Sequence, residues 1–448
     1  MNIYNNLKKK ISCKKAVVAI VGLGFVGLPL AMAYAKRYKV IGYEVMKDKI
    51  DSLKKGSSYI PDAPNSILRR YLNKSFFPTT DEKELRKADF IIIIVPTPLQ
   101  EKKPDITFIR DACETVSRNL RKGQFIILES TTYPGTTEEI VVPLLEKSGL
   151  KVGKDFGAAY SPERIDPGNK EWTVENTPKL VGGIDSDSGD VAQMLYSTVI
   201  KAKIYKVSNP RIAEATKLVE NLFREVNIAL MNEFALMFEK MGIDIWEVIE
   251  AAKTKPHAFM AHYPGPGIGG HCLPINPYYL LYEAERFDVP SRMLEIADEI
   301  NDQMRVHTAN LARDALLRKG IKISNAKITV MGLAYKKDIN DLRETPAQTI
   351  IEELVNQGAK VTVYDPWANS INTSVGELFS AKSFDEAARG SDCLVFVTDH
   401  SAFAKPDWNK IKKEMRTPIV VDSRNMFKQD ELLKKGFEYR GIGKPIKD

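Results

Sequence analysis

The sequence predicts an α/β protein that consists of two Rossmann-like parallel-sheet domains joined by a central long-helix region. Continuous apolar runs alternate with helical segments in both halves of the chain, as in parallel sheets that are buried on both faces. Between the halves, residues 211–255 keep helical spacing and contain no proline. We therefore expect an N-terminal domain at 14–209, a helical region at 210–320 and a C-terminal domain at 321–448.

Length and composition restrict the class of protein. A chain of 448 residues is expected to form two or three domains, and 44% hydrophobic with 27% charged residues is ordinary for a soluble globular protein. The net charge of +7 is spread along the chain, whereas a nucleic-acid-binding protein usually concentrates its lysines and arginines on one face. An anionic small molecule is therefore a better partner than a nucleic acid.

Targeting and cysteine patterns predict a cytoplasmic location. The N-terminus has lysines but no apolar segment of the signal-peptide type, and the apolar runs are far shorter than the roughly 20 residues that span a bilayer. The four cysteines show neither C-x-x-C spacing nor a disulfide framework, so we expect reduced thiols. No metal site and no membrane partner are expected.

The first β-α-β unit carries a dinucleotide-binding motif. An apolar strand at 17–21 runs into GLGFVG, and a second strand ends at Glu44. Glycines let the backbone approach a pyrophosphate at the helix N-terminus, and an acid at this position can bind the ribose hydroxyls. Because a carboxylate repels a 2′-phosphate, the expected cofactor is NAD rather than NADP. The candidate cofactor-binding residues in this unit are Gly22, Gly24, Phe25, Val26, Gly27 and Glu44.

The second half of the chain echoes the first without the complete motif. Further strands are expected at 88–98 and 124–131, and then at 326–338, 359–366, 391–400 and 417–425. Gly332 follows the first strand of the second series, but charged residues come after it. Either this copy has lost its ligand, or the cations Lys336 and Arg343 bind a diphosphate at the carboxyl end of a parallel strand.

Three further features allow both a structural and a functional interpretation. PGPGIGGHCLPINP, at 264–277, surrounds Cys272 with prolines and glycines and is either an ordered surface loop or a loop that presents a reactive thiol. Lys217 and Asn221 lie four residues apart and so share a helix face. Glu163 lies in the proline-punctuated loop YSPERIDPG. In isolation, a lysine, an asparagine or a loop carboxylate is usually only structural.

Taken together, the motifs resemble the nucleotide-sugar 6-dehydrogenase family, the UDP-glucose/UDP-N-acetylhexosamine dehydrogenases, and within it most resemble the UDP-N-acetylglucosamine 6-dehydrogenases. They occur in family order from about Lys14 to Arg424. The motifs that carry the resemblance are GLGFVG, VPTP at 95–98, STTYPGTT at 130–137, SPERIDPG at 161–168, KLVEN at 217–221, GPGIGGHC at 265–272 and GLAYKKDINDLRETP from Gly332.

The resemblance implies an N-terminal NAD domain, a helical dimerisation region and a C-terminal UDP-binding domain. The chain would be a homodimer or higher homo-oligomer that binds a UDP-sugar and NAD. The cofactor site would extend to Pro96, Thr97 and Thr131. The implied substrate-binding residues are Glu163, Arg164, Ile165, Lys217, Asn221, Tyr263, Gly267, Gly269, Gly270, Lys336 and Arg343.

The implied reaction oxidises the C6 alcohol of the sugar to a carboxylate with two NAD molecules in succession. Cys272 matches the family nucleophile, whose thiolate adds to the aldehyde formed first and gives a thiohemiacetal and then a thioester. Lys217 and Asn221 would stabilise the developing oxyanion, since pre-placed donors do so elsewhere. Glu163 and Thr131 match residues that activate or position water and protons. Water would then release the uronate.

One residue departs from the family pattern, which commonly has Asp four residues after the nucleophile. Asn276 stands there, and an amide cannot act as a base, although it can hold a water molecule. His271 before the thiol favours a UDP-N-acetylhexosamine, and UDP-N-acetylglucosamine is the expected substrate. The alternatives are UDP-glucose, UDP-N-acetylmannosamine or UDP-N-acetylgalactosamine, and, because of Asn276, a catalytically inactive nucleotide-sugar-binding protein.

Overall fold

Each half of the chain is built on a parallel sheet, and the two sheets lie in separate units. The computed structural model describes residues 3–165, 169, 171–270 and 273–447. Unit 1 consists of Met1–Glu220 and Tyr278–Asp288. Unit 2 consists of Asn221–Pro277 and Val289–Asp448.

The sheet of unit 1 has eight strands in the order β10-β9-β8-β7-β4-β1-β2-β3. The strands of unit 1 are β1 Val17–Val21, β2 Lys39–Tyr43, β3 Phe76–Thr79, β4 Phe90–Ile93, β5 Leu99–Gln100, β6 Lys103–Pro104, β7 Phe125–Leu128, β8 Gly157–Tyr160, β9 Lys179–Gly183 and β10 Ile204–Val207. The β5–β6 pair is a separate small hairpin. Every residue of β4 and β7 is buried, which explains why these strands read as continuous apolar runs.

Helices cover the sheet of unit 1. They are α1 Ile3–Ser12, α2 Gly27–Ala35, α3 Lys47–Lys54, α4 Asn65–Tyr71, α5 Thr107–Asn119, α6 Val142–Glu146 and α7 Ser186–Tyr196, with a 3₁₀ turn at Glu82–Lys87 and a π-helical turn at Thr137–Val141. Every residue of α2 is buried, and this helix follows the glycine-rich loop directly. The main core of the unit therefore lies on the face of the sheet that α2 covers, together with α1 and α7.

The helical part of the chain contributes to both units. Its helices are α8 Pro210–Met241, α9 Ile245–Lys253, α10 Asn276–Arg286 and α11 Arg292–Arg318. Gly242, with φ of +72°, ends the long helix in the left-handed region that glycine adopts without strain. The long helix followed by a shorter one agrees with the sequence pattern. The division into three consecutive domains stays a prediction. The two compact units do not test it, because each unit consists of two separate segments of the chain.

Unit 2 contains a five-stranded, fully parallel sheet in the order β12-β11-β15-β16-β17. The remaining strands are β11 Lys327–Met331, β12 Lys360–Tyr364, β13 Ser370–Thr373, β14 Gly376–Phe379, β15 Cys393–Phe396, β16 Ile419–Asp422 and β17 Glu438–Gly441, and β13 pairs with β14 in a separate hairpin. The helices are α12 Pro346–Asn356, α13 Phe384–Ala388, α14 Trp408–Glu414 and α15 Gln429–Lys434, with 3₁₀ turns at Ile323–Asn325 and Ser401–Phe403.

The predicted fold class is confirmed: two parallel, Rossmann-type sheets and a long central helix. One detail differs from a purely parallel arrangement. Strands β8 and β9 are antiparallel, while the other neighbouring pairs in the unit 1 sheet are parallel. A parallel connection requires a crossover segment, usually a helix, but within the described residues between these strands the chain forms only loops and turns. None of the helices in the described ranges combines the length and apolar character that crossing a bilayer requires.

Glu225 of α8 is a buried carboxyl in unit 2. It is 1% exposed, and neither side-chain oxygen has a hydrogen-bond partner among the described residues. Burial, followed by the charges of Asp298 and Asp302, raises the pKa of Glu225 to about 9. At neutral pH the folded chain therefore keeps a proton that the unfolded chain, with a pKa near 4.5, releases.

Glu225→Gln should make the protein progressively more stable than wild type as the pH rises from 6 to 9. A carboxyl whose pKa is raised on folding stabilises the folded state below its unfolded pKa and loses that effect as pH rises towards the folded pKa. We expect a gain of about 4 kcal/mol in the free energy of unfolding across this window, measured by urea titration, because each pH unit below the folded pKa changes the stability by about 1.4 kcal/mol. The matched control is Glu233→Gln, an exposed carboxylate on the same helix. Parallel pH curves for all three proteins would contradict the assignment.

Candidate active site

The glycine-rich loop between β1 and α2 requires glycine for two separate reasons. Gly22 has φ of +95°, and a Cβ atom there would lie 2.0 Å from the carbonyl oxygen of Ile94. A Cβ at Gly27 would lie 1.9 Å from the carbonyl oxygen of Gly22. By contrast, nothing lies within 4 Å of a Cβ built on Gly24. The first and last glycines serve close packing, while the middle glycine leaves open space where a pyrophosphate can approach the backbone.

Glu44 stands directly after β2 and is held beside this loop. Its Oε2 accepts a hydrogen bond of 3.1 Å from the backbone N–H of Leu23, and its Oε1 accepts one of 3.2 Å from Met46. Lys49 Nζ lies 3.6 Å from Oε2. The side chain only accepts hydrogen bonds and has remaining lone pairs, so it suits the ribose hydroxyls of NAD. In the loop itself, Phe25 is exposed and Val26 half-buried.

The loops that follow β4 and β7 carry the other predicted cofactor residues. Pro96 is exposed and Thr97 half-buried, and the carbonyl oxygen of Thr97 accepts a hydrogen bond of 3.2 Å from the hydroxyl of Tyr279. Thr131 is half-buried. The adjacent Ser130 accepts a hydrogen bond of 2.8 Å from the backbone N–H of Val95, which ties the two loops together. These loops lie where a parallel sheet binds ligands, at the carboxyl ends of its strands.

The structure brings Glu163 and Lys217 together. Lys217, on α8, is 7% exposed and donates a hydrogen bond of 2.5 Å to the backbone carbonyl of Glu163. Glu163 Oε1 accepts hydrogen bonds from the backbone N–H groups of Arg164, at 2.8 Å, and Ile165, at 2.5 Å. Burial acts to raise the pKa of Glu163, but the ammonium group of Lys179 and these hydrogen bonds outweigh it and lower the pKa on balance. Glu163 is therefore ionised at neutral pH, as a proton acceptor must be.

Arg164 makes contacts within the protein. Its guanidinium pairs with the carboxylate of Glu220, one nitrogen at 3.2 Å and the second closer, and also donates a hydrogen bond of 2.9 Å to the carbonyl oxygen of Pro178. A side chain with these partners fixes the loop that contains Glu163 to α8. Its predicted contact with substrate stays a prediction.

Sequence reasoning missed Glu214, which also anchors a site loop to α8. This residue is fully buried, and its carboxylate accepts hydrogen bonds from the backbone N–H of Gly135 at 2.6 Å and from the N–H and hydroxyl of Thr137 at 2.9 and 2.7 Å. The anchored segment belongs to STTYPGTT, the stretch that contains Thr131. No spacing rule along the chain pairs residue 214 with 135–137, so only the fold shows the contact.

In unit 2, the proline- and glycine-rich loop is held from two helices. Asn232 of α8 accepts a hydrogen bond of 2.9 Å from the backbone N–H of Gly265 and donates one of 2.9 Å to Asn301 of α11. Arg305 of α11 donates a hydrogen bond of 3.1 Å to the carbonyl oxygen of Ile268. Asn232 and Asn301 are fully buried, and sequence analysis did not identify them.

The predicted glycines of this loop allow close backbone packing. Gly267 and Gly270 have φ of +106° and +86°, and a Cβ at Gly269 would lie 2.8 Å from the carbonyl oxygen of Glu344. Gly270 also donates a hydrogen bond of 3.1 Å to the carbonyl oxygen of Arg343. The predicted residues His271 and Cys272, which follow directly, lie outside the described residues.

Two predicted amide residues of unit 2 are buried with unused hydrogen-bonding groups. Asn221 is 7% exposed; its Oδ1 accepts from Arg224 at 3.5 Å, while its Nδ2 has no partner among the described residues. Asn276 is the first residue of α10, is 1% exposed, and has no described partner for either amide atom. Buried amides of this kind normally bind something, so each is open to a ligand or a water molecule.

Tyr263, Lys336 and Arg343 complete the predicted set. The hydroxyl of Tyr263 donates a hydrogen bond of 2.6 Å to Glu250. Lys336 is half-buried and Arg343 exposed in the loop that follows β11, and Arg343 pairs with Asp341 at 2.9 and 2.5 Å. Among the residues that the structure describes, no group of His, Cys, Asp and Glu side chains could hold a metal ion.

Three family models of the UDP-glucose/GDP-mannose dehydrogenase family match the chain in order: the NAD binding domain at 16–200, the central domain at 211–303 and the UDP binding domain at 329–429. The predicted resemblance and the predicted cofactor are thereby confirmed.

Individual relatives extend over nearly the whole chain. A UDP-N-acetyl-D-mannosamine dehydrogenase from Pyrococcus horikoshii is 36% identical and covers 95% of this chain and 99% of its own. A UDP-N-acetyl-D-glucosamine 6-dehydrogenase from Pseudomonas aeruginosa is 37% identical over 93% of this chain and 99% of its own. The solved structure of a UDP-D-ManNAc dehydrogenase from Pyrococcus horikoshii matches with a TM-score of 0.88 at 37% identity, covering 95% of this chain and 99% of its own.

The glycine loop with its fixed acid, the ionised Glu163 beside Lys217 and these three consecutive domain matches agree with one another. The chain belongs to the UDP-glucose/GDP-mannose dehydrogenase family and is an NAD-dependent UDP-sugar dehydrogenase.

Proposed function

We propose that this enzyme oxidises the C6 alcohol of a UDP-N-acetylhexosamine, most readily UDP-N-acetylglucosamine, to the uronate through a thioester on Cys272. The observation that carries the proposal is the half-buried, ionised Glu163 beside the ammonium group of Lys217. A proton acceptor and an oxyanion-stabilising cation are the two groups that formation and hydrolysis of a thioester require.

The first half of the reaction depends on Cys272 and α8. When bound, NAD accepts a hydride from C6 in each of the two oxidations. The Cys272 thiolate adds to the aldehyde carbon, and the carbonyl oxygen gains negative charge. Lys217 has three N–H donors, of which one is bound to the Glu163 carbonyl, and the others would bind this oxygen. Asn221, one helical turn further along α8, supplies an amide N–H.

The second half of the reaction is hydrolysis of the thioester. Glu163 takes a proton from a water molecule, and the oxygen of that water bonds to the acyl carbon as the C–S bond breaks. The sulfur leaves as the Cys272 thiolate, ready for another cycle. Thr131 positions the reacting groups through its hydroxyl. The reaction consumes the alcohol, two NAD and one water, and yields the carboxylate, two NADH and three protons.

The identity of the sugar is proposed from the residue before the nucleophile and from two loop sequences. The relatives include enzymes named for UDP-N-acetyl-D-glucosamine and for UDP-N-acetyl-D-mannosamine. His271 before the nucleophile, together with the STTYPGTT and SPERIDPG sequences, supports an N-acetylhexosamine. The alternatives are the manno and galacto epimers and UDP-glucose.

The purified protein should reduce NAD fastest with UDP-N-acetylglucosamine when the four UDP-sugars are compared by absorbance of NADH. Limiting sugar should yield two NADH per molecule and a uronate product detected by mass spectrometry, because the aldehyde stays bound and is oxidised again. Faster NAD reduction with another of the four UDP-sugars would identify that sugar as the substrate. One NADH per sugar would remove the thioester step, and no reduction with any of them would favour an inactive binding protein.

Two cysteine variants serve as controls in the same assay. Cys272→Ala should abolish uronate formation while the binding of NAD and UDP-sugar persists, because only the covalent step is lost. Cys13→Ala removes an exposed thiol from the end of α1 and should behave as wild type. Uronate formation by the Cys272 variant at the wild-type rate would exclude Cys272 from the mechanism.

The same proposal assigns roles to the other parts of the chain. Residues 14–209 bind NAD, 210–320 pair subunits and 321–448 hold the UDP moiety, whose diphosphate would contact Lys336 and Arg343. Subunit pairing is supported by a stripe on α8. Its members are at least 40% exposed: Val219, Phe223, Leu230, Met237 and Met241. They recur at intervals of four and seven residues and so share one face of the helix.

Light scattering at micromolar concentration should give the mass of a dimer or a larger oligomer. Phe223→Glu with Leu230→Glu places charges within the apolar stripe and should shift the population towards monomer. Leu317→Glu changes an exposed apolar residue of α11 and serves as the matched control. A wild-type monomer would contradict the proposed pairing.

Asn276→Asp should change turnover or its pH profile by about tenfold, the equivalent of 1.36 kcal/mol in the barrier. Its carboxylate would stand four residues after the nucleophile, where it can accept a proton and alter nearby pKa values. The KM for UDP-sugar should change little. Asn409→Asp, an exposed change on α14, is the control. Identical pH–rate curves for Asn276→Asp and wild type would show that position 276 takes no part in proton transfer.

A further inference from the structure

A cluster of ionisable side chains in unit 1 contains Glu163 and three buried residues. We call it the Lys179 cluster, and it consists of Glu129, Glu163, Lys179 and Tyr196. Three of these residues have no role in the mechanism above. Glu129 stands directly after β7, Lys179 is the first residue of β9, and Tyr196 is the last residue of α7. Four separate chain segments therefore meet at one point.

The ammonium group of Lys179 is enclosed by oxygen atoms. Its Nζ donates a short hydrogen bond to Glu129 Oε1, one of 3.2 Å to the carbonyl oxygen of Pro162, and one of 3.5 Å to Glu163 Oε2. The Lys179 side chain is 7% exposed. All three ammonium protons thus have acceptors, and two of these acceptors belong to the loop that carries Glu163.

Glu129 and Tyr196 hold the lysine from the interior side. The side chain of Glu129 is 0% exposed, and its Oε2 accepts a hydrogen bond of 2.6 Å from the hydroxyl of Tyr196. The ring of Tyr196 also lies under the ammonium group, with its centroid 5.2 Å from Nζ. These side chains are packed in the core of the unit, so they give Lys179 a fixed position.

The two carboxyl groups that contact Lys179 differ in their protonation. Burial raises the pKa of Glu129 to about 7, whereas the pKa of Glu163 is lowered despite its burial, by Lys179 above all. When two carboxyls share one cation, the less stabilised one takes up the proton. Glu163 is therefore the group that keeps its charge. Within the described residues, the ionisable groups that act on it include Lys179, Glu129, Lys217 of α8 and Tyr160 of β8.

We infer that Lys179, held by Glu129 and Tyr196, is a positioning residue that fixes the Glu163 carboxylate for hydrolysis of the thioester. The inference rests on the proposed function. Lys179 acts through Glu163 and does not itself touch the substrate. Oxygen Oε1 of Glu163 is bound by backbone N–H groups and Oε2 by Lys179, so the lysine controls the second oxygen's position as well as the charge.

A purely structural ion pair would make a different prediction from a positioning role. Loss of a structural pair lowers stability and reduces activity to a similar extent at every pH. Loss of a group that keeps Glu163 ionised raises the pKa of Glu163, so the acidic limb of the pH–rate profile moves to higher pH. It also slows hydrolysis selectively, so the thioester accumulates.

The test compares Lys179→Met with wild type and with Lys10→Met in the full-length enzyme, with NAD and UDP-sugar. Lys10 Nζ lies 2.6 Å from Asp89, a carboxylate whose side chain is 3% exposed in the same unit, so this variant removes an ion pair to a different buried carboxylate. For Lys179→Met we expect kcat to fall about tenfold at neutral pH and the acidic limb to move up by about one unit. The intact protein should carry an acyl adduct on Cys272 by mass spectrometry.

A second variant covers the possibility that Lys179→Met does not fold because it leaves two buried carboxyls without a cation. Glu129→Gln with Lys179→Met removes the cation together with the second carboxyl, so Glu163 is the one carboxyl left in the Lys179 cluster, and it keeps an acceptor for the Tyr196 hydroxyl. The same upward shift of the acidic limb and the same adduct are expected from this protein. Glu129→Gln alone should not shift the acidic limb of the pH–rate profile to higher pH, because Lys179 still contacts Glu163.

Several results would overturn the inference. An unchanged pH profile in the folded Lys179 variants, or a loss of kcat that is uniform with pH and forms no adduct, would reduce Lys179 to a structural residue. An equal shift in Lys10→Met would show that the effect is not local to Glu163. If wild type reduces no NAD with any UDP-sugar, the proposed function fails first, and this inference falls with it.

Discussion

Strands that are buried on both faces impose the constraint on which the rest of this structure depends. A charged side chain within such a strand would lose its hydration without a partner, so polar residues collect where the strand ends. Glu44 follows β2, and Glu129 and Ser130 follow β7; Asp365 stands after β12, the partly exposed edge strand of the second sheet. Parallel strands end at the same edge, and the candidate functional groups of unit 1 are therefore gathered at that edge.

Glu44 and Asp365 follow the second strand of each Rossmann-type sheet, but their carboxylates have different hydrogen-bond partners. Glu44 accepts one hydrogen bond from the glycine-rich loop and keeps acceptor capacity for a ribose. Asp365 accepts hydrogen bonds from the backbone N–H groups of Leu333 and Ala334, and its Oδ2 also lies 3.0 Å from Nε2 of the buried His400. Its carboxylate stabilises the turn and has no exposed surface. The second sheet thus keeps the Rossmann architecture, but the acid after its second strand is bound by groups of the protein itself, and this half of the chain matches a UDP binding domain rather than an NAD binding domain.

Buried charges in unit 1 fix loops rather than add to stability. Removing a carboxylate and an ammonium from water costs free energy that their attraction offsets only when the geometry is close and the other hydrogen bonds are made. Lys179 meets that condition with three acceptors. Glu214 is held instead by three hydrogen-bond donors, and burial raises its pKa to about 7. In each case the partners include the loop that contains a candidate functional residue, Glu163 or Thr131. Buried side chains in the interior of unit 1 therefore hold the loops of the candidate site in place.

The sequence by itself determined the parts of this protein that depend on local pattern. The apolar runs predicted the parallel strands, GLGFVG with Glu44 predicted NAD as the cofactor, and the family motifs predicted a UDP-sugar dehydrogenase. These inferences succeeded because glycine spacing and strand burial leave a mark over a few consecutive residues.

Only the tertiary structure decided which distant residues meet. Several contacts join residues that no sequence period relates. They are the antiparallel β8–β9 pair and the hydrogen bonds Arg164–Glu220, Asn232–Asn301 and Lys179–Glu129. Lys179 reads as an ordinary charged residue at the start of a strand, and Glu129 as one at the end of another. Their significance comes from burial and mutual distance, which arise when the whole sheet is assembled and not from any one segment.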